Sequence, residues 1–342
     1  MNSEKRTNTF KRIMAMRGVG QVVTVLIGLI ILCMVFSIIN PMFRSGKNAS
    51  NLLRQIVPTL LVGIGQSFVL ITGNVDLSIG SVVGMSCMIS ATMMTKGMSP
   101  LIAVLFTLAC CLVIGFINGQ LVSRFKLPPF IATLGTMTIA RGIAQISNNN
   151  YNTDSIGING AVFRDLFYYG KFLGLFTPIW IAAIIWALFY IVLSKTQTGR
   201  HVYAIGSNVE AARLSGVNVI NTTTIVYLIS SFCAAVTGFV TCATSGMGTM
   251  DAGNMYEMFA VAASVIGGVS PLGGQGILPG TIVGASIWGV LQNGLQFAGA
   301  PVALRNIVIG VIVVVSVLLD VVIRQGNLKW VKRRDLKENN TA

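Results

Sequence analysis

Long apolar runs separated by short polar segments dominate the chain. A helix needs about 20 apolar residues to cross a bilayer. The predicted spans are residues 19–39, 52–71, 79–94, 101–122, 130–146, 176–193, 223–243, 256–269, 277–297 and 306–323. Of the 342 residues, 54% are hydrophobic and 10% are charged, whereas an ordinary soluble domain has about 25% charged residues. The pattern therefore predicts an all-α polytopic membrane protein with about ten transmembrane helices.

The distribution of charge predicts the orientation of these spans. Residues 19–323 are read as one transmembrane domain between polar tails, 1–18 and 324–342. Lysine and arginine concentrate in both tails and in residues 195–219, as in cytoplasmic segments beside an anionic leaflet. Both termini and the 195–219 loop are therefore expected in the cytoplasm, and the 147–174 loop outside. The same distribution explains the net charge of +14 without a nucleic-acid partner.

Polar residues inside the spans are the candidates for a solute pathway, because a charged group at the bilayer centre costs about 2.5–3.5 kcal/mol. The candidates are Gln66, Asp76, Ser78, Asn118, Glu257 and Asn293. Asp76 has two compatible roles, as a cap for the third span and as a pathway residue. Arg141, near the outer end of span five, is expected to extend to the membrane interface.

Several absences in the sequence bear on the energy source. There is no Walker-type nucleotide motif, His201 is the single histidine, and the six cysteines all lie in apolar runs. There is also no cluster of acids deep in the spans that would couple transport to protons or sodium. The chain is therefore expected to bind no cofactor and to take energy from a partner. An ion-coupled secondary transporter of a small polar solute is the alternative.

The loop between spans six and seven is expected to fold. Ser207 and Glu210 have the spacing of a capping box, good helix formers follow, and Gly216 suits a left-handed helix end. A helix of about two turns is therefore predicted outside the bilayer, where another protein can hold it.

Two glycine-rich breaks suggest an internal duplication. Gly73–Gly84 and Gly267–Gly284 each precede a restarting helix and fall near equivalent points of spans two to five and seven to ten. Because span two would enter the membrane from outside and span seven from inside, the two halves are predicted to be inverted repeats. This arrangement is typical of transporters. Span two contains Pro58 and is expected to be bent or broken.

Four segments carry a family resemblance. Gly73–Ser81 (GNVDLSIGS), Phe130–Met137 (FIATLGTM), Thr198–Val219 (TGRHVYAIGSNVEAARLSGVNV) and Gly267–Gly274 (GGVSPLGG) are similar, in this order, to segments of bacterial permease subunits. The family is that of ribose/galactose-type ABC importers, and the likeness covers about residues 20–323.

The resemblance implies a type II ABC importer-like fold with two inverted repeats, in the bacterial inner membrane. It implies import of a sugar or similar polyhydroxylated solute by alternating access. The implied partners are a cytoplasmic ABC ATPase that uses ATP and Mg²⁺, an extracytoplasmic sugar-binding protein and a second permease copy, in a homodimer or heterodimer. The helix from Ser207 to Gly216 would be the ATPase-coupling helix. Its candidate residues are Ser207, Asn208, Glu210, Ala211, Ala212, Arg213, Ser215 and Gly216.

Two positions depart from the family pattern. Span eight opens with Tyr256-Glu257-Met258-Phe259, where the family usually has Tyr-Glu-Leu-Asp. Phe259 replaces an acid, so a solute contact at that position does not carry over. Asn74 also stands where glycine is more usual before Asp76.

Overall fold

The structure is a computed structural model that describes residues 19–305 and, beyond them, positions 307–308, 310–312, 314–315 and 318. The chain forms two compact units, Met1–Gly299 and Ala300–Ala342. The following description concerns the first unit.

Helices make up nearly all of the described regular structure. In chain order the elements are α1 (Val19–Ile39), a 3₁₀ turn (Pro41–Arg44), α2 (Gly46–Ile71), α3 (Ile79–Thr95), α4 (Pro100–Ser123), α5 (Pro129–Ser147), α6 (Ala161–Arg164), a π turn (Asp165–Tyr169), β1 (Lys171–Phe172), β2 (Leu175–Phe176), α7 (Thr177–Lys195), α8 (Gln197–Ser207), α9 (Val209–Leu214), α10 (Val219–Ser245), α11 (Tyr256–Ile266) and α12 (Leu278–Phe297).

The predicted spans agree with these helices. The first nine fall on α1 to α5, α7 and α10 to α12, while most of the tenth, 306–323, lies outside the described residues. Four helices (α2, α4, α7 and α10) are long and apolar enough to cross a membrane by length and composition alone. The all-α polytopic membrane fold is confirmed.

Local chemistry sets where the helices begin and end. Ser45 and Ser99 cap α2 and α4, because their side-chain oxygens accept the backbone N–H groups of Asn48 and Ile102. Gly246 ends α10 with a left-handed φ of 69°. Helix α2 runs unbroken through Pro58, so the break expected there is absent.

The packing of the helices has the pattern of two related halves. Helix α10 packs on α2, α3 and α4, and helix α2 packs reciprocally on α10, α11 and α12. This exchange relates α2 to α10, α3 to α11 and α4 to α12. In this pairing the segment 72–78 corresponds to 246–255, so the two glycine-rich breaks noted in the sequence are not counterparts of each other.

Helices α2 and α10 cross closely at the centre. A Cβ atom on Gly65 would lie 2.9 Å from Cα of Ser230, so only glycine permits this approach. On the other side of α2, the Ser67 hydroxyl lies 3.1 Å from that of Ser264 on α11 and 2.9 Å from that of Thr281 on α12. Small residues and buried hydroxyl groups are the usual means of joining membrane helices.

The 147–174 loop has more structure than the sequence suggested. It contains α6, the π turn and β1, which pairs antiparallel with β2. Phe163 and Phe167 are buried and pack on Phe239 of α10, with ring centroids 6.1 and 5.3 Å away. The aromatic residues of the segment thus fix it to the helical core.

Candidate functional site

Asp76 lies in the break between α2 and α3 and is completely buried. Its Oδ1 accepts the Ser78 backbone N–H at 2.9 Å and the Ser78 hydroxyl at 2.6 Å. Its Oδ2 accepts the Ser230 hydroxyl of α10 at 2.6 Å. Asp76 therefore stabilises the turn before α3 and connects it to α10 by hydrogen bonds. Among the described residues, it does not accept N–H groups from the first turn of α3.

The hydrogen bonds continue from Asp76 into two further helices. The Asn118 amide on α4 donates to the Ser78 hydroxyl at 2.9 Å, and Asn118 Oδ1 accepts the Thr136 hydroxyl of α5 at 2.6 Å. The sequence candidates Asp76, Ser78 and Asn118 thus meet in one network. All three are fully buried, so in this conformation they join helices and do not line an open path.

The other pathway candidates lie apart from that network. Asn293 on α12 donates to Asn48 and Gln55 of α2 at 3.1 and 3.0 Å, which joins these two helices. Gln66 is fully buried, and its amide atoms have no hydrogen-bond partner within the described part of the chain. Glu257 opens α11, half-buried, at the point where Gly80 of α3 passes closest.

Arg141 reaches a distant segment of the chain. Its Nη1 donates to the backbone carbonyl groups of Met250 and Ala252, at 3.1 and 2.8 Å. A cation inside a span therefore holds the 246–255 segment, a role that no local sequence pattern indicates.

Between α7 and α10 the chain forms two helices where one was predicted. The predicted capping box is wrong, since the Ser207 hydroxyl donates to the Tyr203 carbonyl at the end of α8. Asn208 caps α9 instead, accepting the Ala211 N–H at 2.9 Å. The left-handed Gly216 after α9 is confirmed, with φ of 84°.

Helix α9 presents most of its side chains to solvent. Ser207, Asn208, Glu210, Ala211, Arg213, Ser215 and Gly216 are exposed and Ala212 is buried. Glu210 and Arg213 form an exposed ion pair of 3.9 Å, which contributes little to stability. Leu214 is 87% exposed, although it is apolar and lies outside the predicted spans.

Helix α8 lies directly against both glycine-rich segments. The Gly206 backbone is so close to the Ile71 carbonyl and the Gly274 N–H that a Cβ atom would clash with both. The Tyr203 hydroxyl donates a hydrogen bond to the Gly276 carbonyl at 2.7 Å. Burial of the Tyr203 side chain raises the pKa of its phenol. Movement of α8 would therefore be transmitted to the end of α2 and to the segment that precedes α12.

A groove lined by aromatic and polar side chains runs between α2, α10, α11 and α12, and is called the aromatic groove below. It consists of two adjoining cavities of about 300 and 140 Å³. Both are lined by Gln55, Pro58 and Tyr256. Arg54 and Tyr168 are among the other residues that line the larger cavity, and Phe259, Trp288 and Gln292 are among those that line the smaller. Two of these residues stand out in the sequence, Pro58 as a helix breaker and Phe259 as a departure from a family pattern.

These features define a polytopic membrane permease, with a helical core and the two short helices α8 and α9 between its halves. A family model described as the permease component of branched-chain amino acid transport systems matches residues 48–317. The chain belongs to this permease family.

The relatives place the chain more narrowly. It is 35% identical over 320 residues to the ribose import permease protein RbsC of Bacillus subtilis, covering 94% of this chain and 98% of the relative. The Escherichia coli K12 ribose import permease protein RbsC is 34% identical, covering 86% and 92%. The galactose/methyl galactoside import permease protein MglC of Haemophilus influenzae is 34% identical, covering 86% and 90%. The family resemblance carried by the four motifs is confirmed. No solved structure matches the chain.

Proposed function

We propose that this chain is the permease subunit of an ATP-driven importer that moves a sugar or similar polyhydroxylated solute across the bacterial cytoplasmic membrane by alternating access. Relatives named for ribose, galactose and allose import support the solute class. They also favour an ABC importer over an ion-coupled transporter. Both termini and the α8–α9 pair lie in the cytoplasm in this proposal.

The proposed partners follow from the same relatives. A cytoplasmic ABC ATPase hydrolyses ATP with Mg²⁺, an extracytoplasmic sugar-binding protein delivers the solute, and a second permease copy completes the path. The present chain contributes the path and the mechanical connection, so it performs no covalent chemistry.

The exposed helix α9 and its connection through α8 support this proposal most directly. Leu214 offers an uncovered apolar side chain to a partner, and apolar surface that becomes buried on binding contributes about 25 cal/mol per Å². Since α8 contacts the end of α2 and the segment before α12 through Gly206 and Tyr203, force applied at α9 would reach both glycine-rich segments. Candidate coupling residues are those of the Ser207–Gly216 segment.

The experiment compares two exposed leucines. Leu214→Asp is expected to abolish sugar-stimulated ATP hydrolysis and uptake in proteoliposomes containing the complete importer, because a carboxylate cannot enter an apolar cleft without a large desolvation cost. Leu173→Asp, at a 76% exposed leucine in the 147–174 loop, is the matched control and should retain both activities. A proline at Ala212 is less informative, since Ala212 is buried.

The proposal predicts a clear energy requirement. Uptake should stop when ATP is depleted and should continue when an ionophore collapses ion gradients. The opposite result would support the ion-coupled alternative, and full coupling in Leu214→Asp would refute the role of α9.

A further inference from the structure

We propose that the aromatic groove is a transient binding subsite for the transported monosaccharide, which rests its ring on Tyr256 and Phe259 and bonds its hydroxyl groups to Gln55 and Gln292. This inference rests on the proposed function. It adds a location and named contacts that lie away from the buried Asp76 network.

The apolar wall of the groove is a continuous aromatic column. The ring centroids of Tyr256 and Phe259 are 5.3 Å apart, and those of Phe259 and Trp288 are 4.8 Å apart. Trp288 is buried and packs on Phe259, whereas Tyr256 and Phe259 are partly exposed. The electron-rich face of an aromatic ring attracts the weakly positive C–H groups of a sugar ring, so this wall suits the apolar side of a monosaccharide.

The polar wall offers groups that both donate and accept hydrogen bonds. Gln55 Oε1 accepts from Asn293, which leaves its amide N–H groups for a ligand. Gln292 has no side-chain hydrogen bond within the described part of the chain and faces the same cavity as Phe259. A sugar hydroxyl also donates and accepts, so neutral amides match it in both directions.

Pro58 adds a backbone acceptor to this wall. Proline has no N–H, so the carbonyl of Arg54, four residues earlier, loses its helical donor. Arg54 and Pro58 both line the groove, as expected for residues one turn apart on a helix. The proline that suggested a broken span therefore leaves α2 intact and frees one carbonyl group where a hydroxyl can use it.

Charge and size favour a neutral solute of monosaccharide dimensions. Among the described residues that line the groove, Arg54 carries the only charge. Its guanidinium makes cation–π contacts with Phe176 and Tyr168, at 3.7 and 4.6 Å from their ring centroids. Because no acidic side chain lines the described part of the groove, a cationic solute would find no electrostatic attraction there. The larger cavity alone, about 300 Å³, reaches the lower end of the range for ligand pockets, about 300–1,000 Å³, so a monosaccharide fits.

The test uses the complete importer in proteoliposomes with D-ribose, D-galactose and D-allose as probes. Gln292→Ala should lower the ATP-driven uptake of the transported sugar about tenfold, the effect of about 1.4 kcal/mol lost from a hydroxyl contact. Gln296→Ala is the control, because Gln296 lies one turn later on α12, is exposed and is outside the groove. The binding protein is the same in every sample, so it cannot cause the difference.

A second measurement reads occupancy directly. A cysteine introduced as Gln292→Cys should react with a water-soluble maleimide, and the transported sugar should slow that reaction while leaving Gln296→Cys unaffected. This comparison remains decisive if Gln292→Ala folds poorly. Equal uptake by wild type and Gln292→Ala, or alkylation of Gln292→Cys that ignores the sugar, overturns the subsite. Uptake by the wild type that continues without ATP and stops with an ionophore overturns the proposed function instead.

Discussion

The hydrogen bond between Ser230 and Asp76 provides a sharp stability test, because the next residue is a natural control. Ser230 donates to the buried Asp76 carboxylate at 2.6 Å. Ser231 is equally buried, but its hydroxyl has no hydrogen-bond partner in the described part of the chain. The same substitution at neighbouring positions of α10 therefore removes a bonded hydroxyl in one variant and an unsatisfied one in the other.

The stability lost in Ser230→Ala depends on the kind of group that accepts the hydrogen bond. Hydrogen bonds between membrane helices average about 0.6 kcal/mol and reach about 1.7 kcal/mol, whereas bonds to charged groups contribute about 1.5–3 kcal/mol. The short contact with a buried carboxylate places Ser230→Ala near 1.5 kcal/mol. Ser231→Ala should be neutral or slightly stabilising, because it removes a buried polar group without a partner.

Thermal unfolding in nanodiscs, followed by tryptophan fluorescence, measures the difference. At about 2 °C for each kcal/mol in a large domain, Ser230→Ala should lower the unfolding midpoint by about 3 °C, and Ser231→Ala should not lower it. Equal midpoints for the two variants would show that the Asp76 network does not stabilise the contact between α10 and the 72–78 segment.

Three further experiments test the other contacts. Arg141→Met keeps the length of the side chain but removes the donors to the Met250 and Ala252 carbonyls; hydrogen exchange of residues 246–255 should become faster, and unchanged exchange would contradict the role of Arg141. Asn208→Ala should remove the cap of α9, which destabilises the helix by about 1 kcal/mol and weakens coupling to the ATPase. Ser207→Ala should have neither effect. Equal effects of the two substitutions would show that Ser207 also caps α9. Gly206→Ala should reduce uptake while the ATPase stays bound, because the added Cβ atom would clash with the Ile71 carbonyl. Normal uptake would show that α8 is not closely coupled to α2.

The sequence by itself determined the membrane fold and most of its helices. Apolar runs of sufficient length leave a chain little alternative to helices in lipid, because the backbone groups must bond within their own segment. The left-handed Gly216 could also be read from its residue type alone, since the effect of a glycine on a helix end acts within a few positions. The four ordered motifs identified the family.

Only the tertiary structure decided how distant residues meet. The sequence contained Asp76 and Ser230, but their contact depends on the crossing of α2 and α10 at Gly65. The aromatic groove likewise combines residues from helices separated by more than 200 positions, and Arg141 finds its acceptors on a segment about 110 residues away. Even the short α9 was capped by Asn208 and not by Ser207, because α8 continues to Ser207 and occupies its hydroxyl. Local patterns specify helices, whereas burial and helix crossing decide which polar groups become partners.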